Sequence, residues 1–409
     1  MIEFELSTQQ QQLREALTGL GKNVIRPQSL SWDRNHGVSE DFLRTFMRLA
    51  QGFRGEASSR FLGDDSGARK PRDPSKPSTA SRTAAVASEV MGWADAALPL
   101  CLPGPGLGGP PVRSTGTPEQ QARFFGVFKD MLDTELKWGA YGLTEPGAGS
   151  DVAAIRTSCV KDGAHYVLNG RKCFITNGAR AVWTVIFATI DPSLGRAGQR
   201  AFVVEKGTPG FSVGKIEDKI GLRASETAEL VLEDARVPEE NLLGGEDAYR
   251  SKEGFMTAMK TFDTTRPIVA AIACGLGRGA YEHACEFVKD NYVLSRPIPR
   301  YAALAERLAR VGRRLAAARA LVWRACYLAD CDRENAREAS MAKAYAGQAA
   351  IFACIEAIEI CGAHGAIAGE DALLEKWFRD IKVFDIFEGT GNIQRVVISK
   401  RIVTGLKSF

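Results

Sequence analysis

The sequence lacks the features of metalloproteins, disulfide-bonded proteins and nucleic-acid-binding proteins. Its four histidines lie far apart, so no spacing typical of a zinc site occurs. Its nine cysteines include no C-x-x-C pair and are odd in number, which predicts reduced, packed thiols in a cytoplasmic protein. The 53 basic and 49 acidic residues give a net charge of +4, too balanced to predict a nucleic-acid partner.

Secretion, membrane and common nucleotide-binding signals are also missing. The first residues, Met1–Leu6, lack the apolar centre of a signal peptide. We identify no run long and apolar enough to cross a bilayer, so we predict no membrane insertion. No Gly-Lys-Ser or Gly-Lys-Thr sequence occurs, which excludes a P-loop, and no glycine-rich segment has the βαβ context of a Rossmann fingerprint.

The pattern that is present predicts a mostly α-helical protein with a β middle domain. Helical periodicity extends over 1–136, with a segment at 51–82 rich in Gly, Ser, Pro and charge that we predict to be a mobile loop. Short β-rich runs fill 137–245, separated by the turn dipeptides Asp162-Gly163, Asn169-Gly170 and Asn177-Gly178, which predicts a compact antiparallel domain. Long amphipathic helices follow over 246–409, and Gly362 has the position of a C-terminal helix cap.

One carboxylate near the C-terminal end has the composition of a general base. Glu388 follows Phe384, Ile386 and Phe387, and a glycine comes directly after it. Apolar neighbours disfavour the charged form of a carboxylate and raise its pKa toward neutrality. Taken alone, the pattern is more typical of a surface glutamate before a helix-stopping glycine, because such triplets are common.

A glycine-rich loop and two short polar patterns are the other candidates for ligand contact. The segment Tyr141–Asp151 offers backbone N–H groups and the Thr144 and Ser150 hydroxyls to an anion or a heteroaromatic edge. Phe174 and Thr176 share one face of a predicted strand, where one could stack on a ring and the other donate a hydrogen bond to it. On this pattern alone, ordinary strand alternation is the better explanation. Elsewhere, Asp263 and Arg266 are three residues apart on a predicted helix and share a face, which fits either a surface pair or a polar ligand site.

Together these segments resemble the acyl-CoA dehydrogenase family. Four matches occur in the family's order, at Gly142–Asp151, Asn169–Gly178, Phe262–Pro267 and Phe387–Arg395. The resemblance is strong from about Trp138 to the end and weak before it. It implies an N-terminal helical domain, a β-barrel or sandwich domain and a C-terminal four-helix bundle.

The resemblance also implies bound FAD and dehydrogenation of an acyl-CoA thioester to a trans-2-enoyl-CoA. Glu388 would take the α-proton while the β-hydrogen leaves as hydride to the flavin. Thr176 would bond the flavin, and Phe174 stands where the family often has a tryptophan. Some family branches place the base at the position of Thr265, where a threonine cannot serve.

Family positions map onto this sequence as two sets of contacts. The implied cofactor contacts are Tyr141, Leu143, Thr144, Gly149, Ser150, Phe174, Ile175, Thr176, Thr390 and Asn392, with Glu359, Gly362 and Ala363 reaching the adenine side from a neighbouring subunit. The implied substrate contacts are Ser150, Asp263, Arg266 and Gly389. The implied partners are an electron-transfer flavoprotein and further copies of the chain, as a homodimer or homotetramer.

Three departures from the family leave other functions open. Asn291 stands where the family has an arginine that reaches the FAD pyrophosphate across the dimer, and Ala302 replaces a glutamine. The 51–82 segment replaces an apolar loop near the acyl site. The alternatives are a related flavin oxidase that uses oxygen, and a flavin-poor binding or scaffold protein.

We hypothesise that Arg296 or Arg300 supplies the phosphate contact that Asn291 cannot make. A lost charge-assisted hydrogen bond costs about 1.5–3 kcal/mol, or roughly ten- to a hundredfold in affinity. The double variant Arg296→Ala, Arg300→Ala should therefore lose flavin on dilution and gel filtration, measured by absorbance. Unchanged flavin retention would remove the hypothesis.

Overall fold

The computed structural model describes residues 4–51, 78–250, 253–291, 299–368 and 373–406. The helices in these ranges are α1 Thr8–Leu20, α2 Arg26–Arg34, α3 Glu40–Gln51, α4 Ala80–Ala94, α5 Leu98–Cys101, α6 Gly109–Thr115, α7 Pro118–Gly126, α8 Asp247–Arg250, α9 Glu253–Asn291, α10 Pro299–Asp330, α11 Ala336–Cys361, α12 Ala363–Ala366, α13 Leu374–Phe384 and α14 Gly391–Leu406. The strands are β1 Trp138–Gly142, β2 Ser158–Asp162, β3 His165–Thr176, β4 Ala181–Thr189, β5 Gln199–Glu205, β6 Phe211–Ile216 and β7 Thr227–Pro238. This order confirms the predicted fold class of helices, a β middle region and a helical C-terminal bundle.

The β region differs from the prediction in strand direction. The strands form one sheet in the order β1-β4-β2-β3-β7-β6, with β5 also paired to β4. The pairings of β4 with β1 and with β2 are parallel, and the others are antiparallel. The sheet is therefore mixed, because β1 arrives from the helical region and pairs with a strand that is not its neighbour in sequence.

Two of the three predicted hairpin turns are wrong. Asn177-Gly178 links β3 to β4, which do not pair with each other. Asp162-Gly163 does join β2 to β3, and Gly163 has the positive φ of +61° that such a turn requires. Asn169-Gly170 instead lies inside β3, at a register shift against β7. A Cβ on Gly170 would lie 2.7 Å from the Cα of Thr157, so this glycine permits a close approach of two backbone segments at a bulge.

The C-terminal helices pack around the apolar helix α11, which contacts α9, α10, α13 and α14. Helix α4 packs against α9 at two glycines. A Cβ on Gly92 would lie 2.1 Å from the carbonyl oxygen of Ile272, and one on Gly275 would lie 1.8 Å from that of Glu89. These two positions therefore require glycine, because any side chain would push the two helices apart.

Helix α11 and the segment 51–82 bear on two further predictions, one about membrane insertion and one about a mobile loop. Helix α11 is long and apolar enough to cross a membrane by composition alone, contrary to the prediction, but most of its apolar stretch is buried inside the protein. It is therefore explained as the core helix of the bundle. The segment 51–82, predicted as a mobile loop, lies mostly outside the described residues, and its last three residues, 80–82, already belong to α4.

A buried ion cluster joins the helical N-terminal region, the β region and the C-terminal bundle. The Nζ of Lys376 lies 3.0 Å from Asp95 Oδ2 and 2.6 Å from Asp380 Oδ2, and all three side chains are essentially inaccessible. Asp95 also accepts hydrogen bonds from the Ser29 hydroxyl and the backbone N–H of Ala97. The backbone N–H of Leu222, in the β region, donates to Asp380 Oδ1 at 2.6 Å. The cluster therefore fixes how the three regions meet.

Removing the cation from this cluster should destabilise the protein. Lys376→Met leaves two buried carboxylates without their counter-ion, and breaking a buried pair in this way costs about 3–5 kcal/mol. The free energy of unfolding from urea titration measures the loss. The exposed Lys382, which lies on the same helix α13, provides the control. Lys382→Met should change the free energy of unfolding by less than about 0.5 kcal/mol. Equal stability of the two variants would contradict a structural role for the cluster.

Candidate active site

The predicted base lies in a short loop between α13 and α14 whose backbone is held in an unusual conformation. Glu388 has φ of +51° and Gly389 has φ of +88°. The Nε2 of the fully buried Gln394 donates to the carbonyl oxygens of Glu388 at 3.3 Å and of Gly389 at 3.2 Å. A Cβ on Gly389 would lie 2.4 Å from that nitrogen. Glycine is therefore required after the glutamate, and the left-handed conformation fixes where the glutamate side chain leaves the backbone.

Hydrogen bonds at both ends of the loop anchor it to neighbouring helices. The N–H of Gly391 donates to the carbonyl oxygen of Asp385 at 2.9 Å, and Gln348 Nε2 on α11 donates to the Asp385 carboxylate at 2.8 Å. Thr390 caps α14, because its Oγ1 accepts from the N–H of Ile393 at 3.2 Å. The structure therefore gives Thr390 a role in the loop itself.

The Glu388 carboxylate is partly buried among groups from three other elements. Thr265 Oγ1 on α9 donates to Glu388 Oε2 at 2.9 Å. Burial raises the pKa of the Glu388 carboxyl, and the Thr265 hydrogen bond and the charges of Arg266 and Lys343 offset that rise only in part. Tyr141 on β1 is close enough for the Glu388 charge to add to the burial that raises the pKa of its own hydroxyl. The site thus holds a carboxylate with a raised pKa, as a general base requires.

The predicted Asp263–Arg266 pair exists and lies beside the base. Arg266 Nη1 is 3.3 Å from Asp263 Oδ1 on α9, and both side chains are mostly buried. Asn335 Nδ2 donates to the backbone carbonyl of Asp263 at 3.1 Å. Burial lowers the pKa of Arg266, while Asp263 and Glu388 act in the opposite direction. The pair is therefore part of the Glu388 site rather than a solvated surface pair.

The glycine-rich loop after β1 is supported from below by a second buried ion pair. Its first residues are held to β3, because the N–H of Cys173 donates to the carbonyl oxygen of Thr144 at 3.0 Å. Lys172 Nζ lies 2.6 Å from Glu145 Oε1, and both side chains are buried. The same carboxylate accepts from the backbone N–H groups of Arg156 at 2.6 Å and Thr157 at 3.0 Å. The loop is therefore a built structure and not a flexible linker.

The outer side of this loop and the adjoining end of β3 are exposed to solvent. Gly149 and Ser150 are exposed, and a Cβ on Gly149 would meet no atom within 4 Å. Phe174 has φ of +58° and is 64% exposed, while the next residue, Ile175, is 2% exposed. An exposed phenylalanine in a left-handed conformation at a bulge is unusual. The structure therefore places the loop beside Phe174 and the partly buried Thr176.

These residues fit a flavin. The apolar face of Phe174 suits stacking on a tricyclic ring, and the Thr176 hydroxyl and the exposed glycine-rich backbone suit its polar edge and phosphates. Leu143 is buried and Ile175 lies beneath the strand surface, so these two support the site from within. Asn392 is exposed at the start of α14, where it accepts a hydrogen bond from Arg395.

The residues assigned to a neighbouring subunit lie far from Glu388 of the same chain. Glu359, Gly362 and Ala363 are exposed at the C-terminal end of α11. Glu359 is sixteen residues beyond Lys343, or about 24 Å along the helix axis. Glu359 is engaged in an ion pair with Arg307 on α10. Gly362 has φ of +59° and caps α11, as the sequence predicts.

The positions that depart from the family are described only in part. Asn291 is exposed at the end of α9 and donates to the Phe287 carbonyl at 3.0 Å. Ala302 is exposed on α10. Arg296 lies outside the described residues, and for Arg300 only the helical backbone is described.

Two residues of the site were not identified from the sequence. The family position of Thr265 indicates only that it cannot be the base, yet its hydroxyl contacts the carboxylate. No motif points to Lys343, because a lysine in a helix is usually solvated. Its neighbours offer a signal, since Ala339, Ala342, Ala344 and Ala346 form an apolar stretch that predicts burial of the whole turn.

The comparisons with known proteins agree with this geometry. Residues 140–235 match the family description "Acyl-CoA dehydrogenase, middle domain" and residues 252–403 match "Acyl-CoA dehydrogenase, C-terminal domain". An acyl-CoA dehydrogenase of Bacillus subtilis is 41% identical over 73% of this chain and 76% of its own length. A subunit of the caffeyl-CoA reductase–Etf complex of Acetobacterium woodii is 38% identical over 72% of this chain and 74% of its own length.

A solved structure extends the comparison to the N-terminal helices. The butyryl-CoA dehydrogenase of Megasphaera elsdenii superposes with a TM-score of 0.80 at 30% identity, covering 98% of this chain and 100% of that one. The chain therefore belongs to the acyl-CoA dehydrogenase family, and it is an FAD-dependent oxidoreductase.

Proposed function

We propose that this enzyme removes two hydrogens from the α and β carbons of an acyl-CoA thioester, giving a trans-2-enoyl-CoA, with Glu388 as the base for the α-proton. The observation on which the proposal depends is the partly buried Glu388 carboxylate with a raised pKa, hydrogen-bonded by Thr265 at 2.9 Å. When bound, FAD supplies the acceptor for the β-hydride. The loop at Thr144–Ser150 and the side chains of Phe174 and Thr176 would hold it.

The protein's part in the reaction is to hold one proton acceptor in position and to exclude water from it. The α-proton of a thioester is weakly acidic, so its removal needs a base that is not stabilised by solvent. The left-handed backbone at Glu388 and the hydrogen bond from Gln394 to its carbonyl oxygen fix the direction in which the Glu388 side chain leaves the backbone. The Thr265 hydroxyl then restrains one carboxylate oxygen and leaves the other for the substrate.

Substrate binding would use the polar groups around the base. Asp263 and Arg266 offer a preformed pair to the polar arm of CoA, and Ser150 offers an exposed hydroxyl at the mouth of the glycine-rich loop. Gly389 has no side chain to block an acyl group that passes next to the base. These assignments are the ones that the family resemblance implies, and the described geometry is compatible with each.

Replacing the base by its amide should separate binding from chemistry. Glu388→Gln keeps the shape and removes the proton acceptor, so flavin content should be unchanged while flavin bleaching by acyl-CoA falls by about 10²–10⁴-fold. The measurement is anaerobic stopped-flow absorbance with a panel of acyl-CoAs of different length and branching.

A matched exchange at a surface glutamate controls for the substitution itself. Glu334 pairs with Arg401 near the surface, and Glu334→Gln should bleach like the unmodified protein. Normal bleaching in Glu388→Gln would refute the assignment of the base. A purified protein that is colourless, and stays colourless with added FAD, would favour the scaffold alternative.

We further propose that the enzyme is a cytoplasmic homodimer or homotetramer that passes electrons to an electron-transfer flavoprotein. Glu359, Gly362 and Ala363 are exposed at the end of α11 and lie far from Glu388 in their own chain, which supports a site shared between copies. The relative from the caffeyl-CoA reductase–Etf complex supports the acceptor. The nine cysteines form no disulfide in the described part of the chain, which supports a reducing compartment.

The assembly and the acceptor can be measured on one preparation. Sedimentation of the flavin-loaded protein should give a dimer or tetramer, and a monomer would contradict the shared site. Turnover with electron-transfer flavoprotein should exceed turnover with oxygen alone, whereas efficient reoxidation by oxygen with hydrogen peroxide release would favour the oxidase alternative.

A further inference from the structure

A lysine inside the bundle has no assigned role. Lys343 on α11 is 1% exposed, and the residues directly before and after it, Ala342 and Ala344, are buried alanines. Among the described residues, its Nζ has no hydrogen-bond partner, and the charged groups that act on it do so only through space. A buried ammonium without direct pairing is costly and is rarely kept for packing alone.

Helix geometry places this ammonium against the loop that holds the base. Gly347 lies one turn after Lys343 and shares its face of α11. A Cβ on Gly347 would lie 3.5 Å from Asp385 Oδ1 and 3.6 Å from the Phe384 carbonyl oxygen. The charged groups that act on Lys343 are accordingly Asp385, Glu388 and Arg266.

Of the two cations near Glu388 in the described part of the chain, only Lys343 is not neutralised by direct contact. Arg266 is 3.3 Å from Asp263, so the field of that pair at Glu388 is mostly that of a dipole. Asp385 is an acid on the same loop as Glu388, and its carboxylate accepts from Gln348 at 2.8 Å. In a low-dielectric interior, an unpaired charge acts over a longer distance than a paired one.

We propose that Lys343 is a positioning residue for the base: its buried ammonium is the counter-charge that keeps the Glu388 carboxylate ionised without contacting it. Distance matters for this role. A direct salt bridge would occupy the carboxylate oxygen that must take the α-proton. A cation beyond hydrogen-bond distance still favours the ionised Glu388 carboxylate and leaves that oxygen free. The inference rests on the proposed function of Glu388 as the base.

The neighbouring groups determine the pH range in which the effect operates. The titratable groups that interact with Glu388 are Arg266 on α9, Lys343 on α11 and Tyr141 on β1. Asp263 is paired with Arg266, and Asp385 acts on Lys343. Burial lowers the pKa of Lys343 to about 8, against the opposing influence of Asp385 and Glu388. The charge of Lys343 is therefore present below about pH 8 and lost above it.

The test compares pH profiles of Lys343→Met with those of the unmodified holoenzyme. Methionine keeps the length and burial of the side chain but removes the charge, so the pH at half-maximal flavin bleaching should rise by about one unit. This shift corresponds to roughly tenfold slower bleaching below the transition, and the two profiles should converge above about pH 9. Lys343→Arg should restore the rate at low pH, and the exposed Lys382→Met should match the unmodified enzyme.

A second readout does not depend on turnover. The carboxyl C=O infrared band of Glu388, isolated by subtracting the spectrum of the matching Glu388→Gln protein, reports its protonation directly and should titrate at higher pH in Lys343→Met. An unchanged titration, or bleaching slowed equally at every pH, would overturn the proposal. If no acyl-CoA bleaches the unmodified protein, the proposed function fails, and the infrared titration still decides the role of Lys343.

Discussion

The burial of one carboxylate is the constraint around which the site is built. A carboxylate in apolar surroundings is strongly disfavoured as an anion, and Glu388 is only partly stabilised by its contacts. Two neighbouring helices offset this cost in part: α9 supplies the Thr265 hydroxyl and the Arg266 charge, and α11 supplies the Lys343 charge. The balance leaves the group basic, since full stabilisation of the anion would make it a poor proton acceptor.

Such a balance requires the elements to be fixed relative to one another. The Lys376 cluster joins Asp95, Asp380 and the backbone of Leu222, so three regions of the chain share one set of buried charges. The glycine contacts between α4 and α9 serve the same end by close packing. Movement of α9 would take the Thr265 hydroxyl out of hydrogen-bond distance of the Glu388 carboxylate. The buried ion cluster and the glycine contacts restrict such movement.

The glycine-rich loop after β1 depends on a different buried pair. Glu145 satisfies two backbone N–H groups and Lys172 at once. Burial raises the pKa of Glu145 and the Lys172 charge lowers it, with a net downward shift, so Glu145 remains an anion at neutral pH. The glycines of the loop can therefore stay open to a ligand, because the shape of the loop is maintained by the residues beneath it.

The sequence alone determined the features that depend on local patterns. Hydrophobic periodicity predicts the long helices, and the Asp162-Gly163 dipeptide and the position of Gly362 predict a turn and a helix cap. The positive φ angles of both glycines agree with these predictions, and four short motifs predict the family and the site of Glu388. Local patterns cannot distinguish the turn signal of Asn169-Gly170 from the bulge that it forms, because that depends on Thr157 approaching the glycine. Nor can they show that Thr265 and Lys343 meet the Glu388 site, since contacts between residues dozens of positions apart in the chain are decided by how the helices pack.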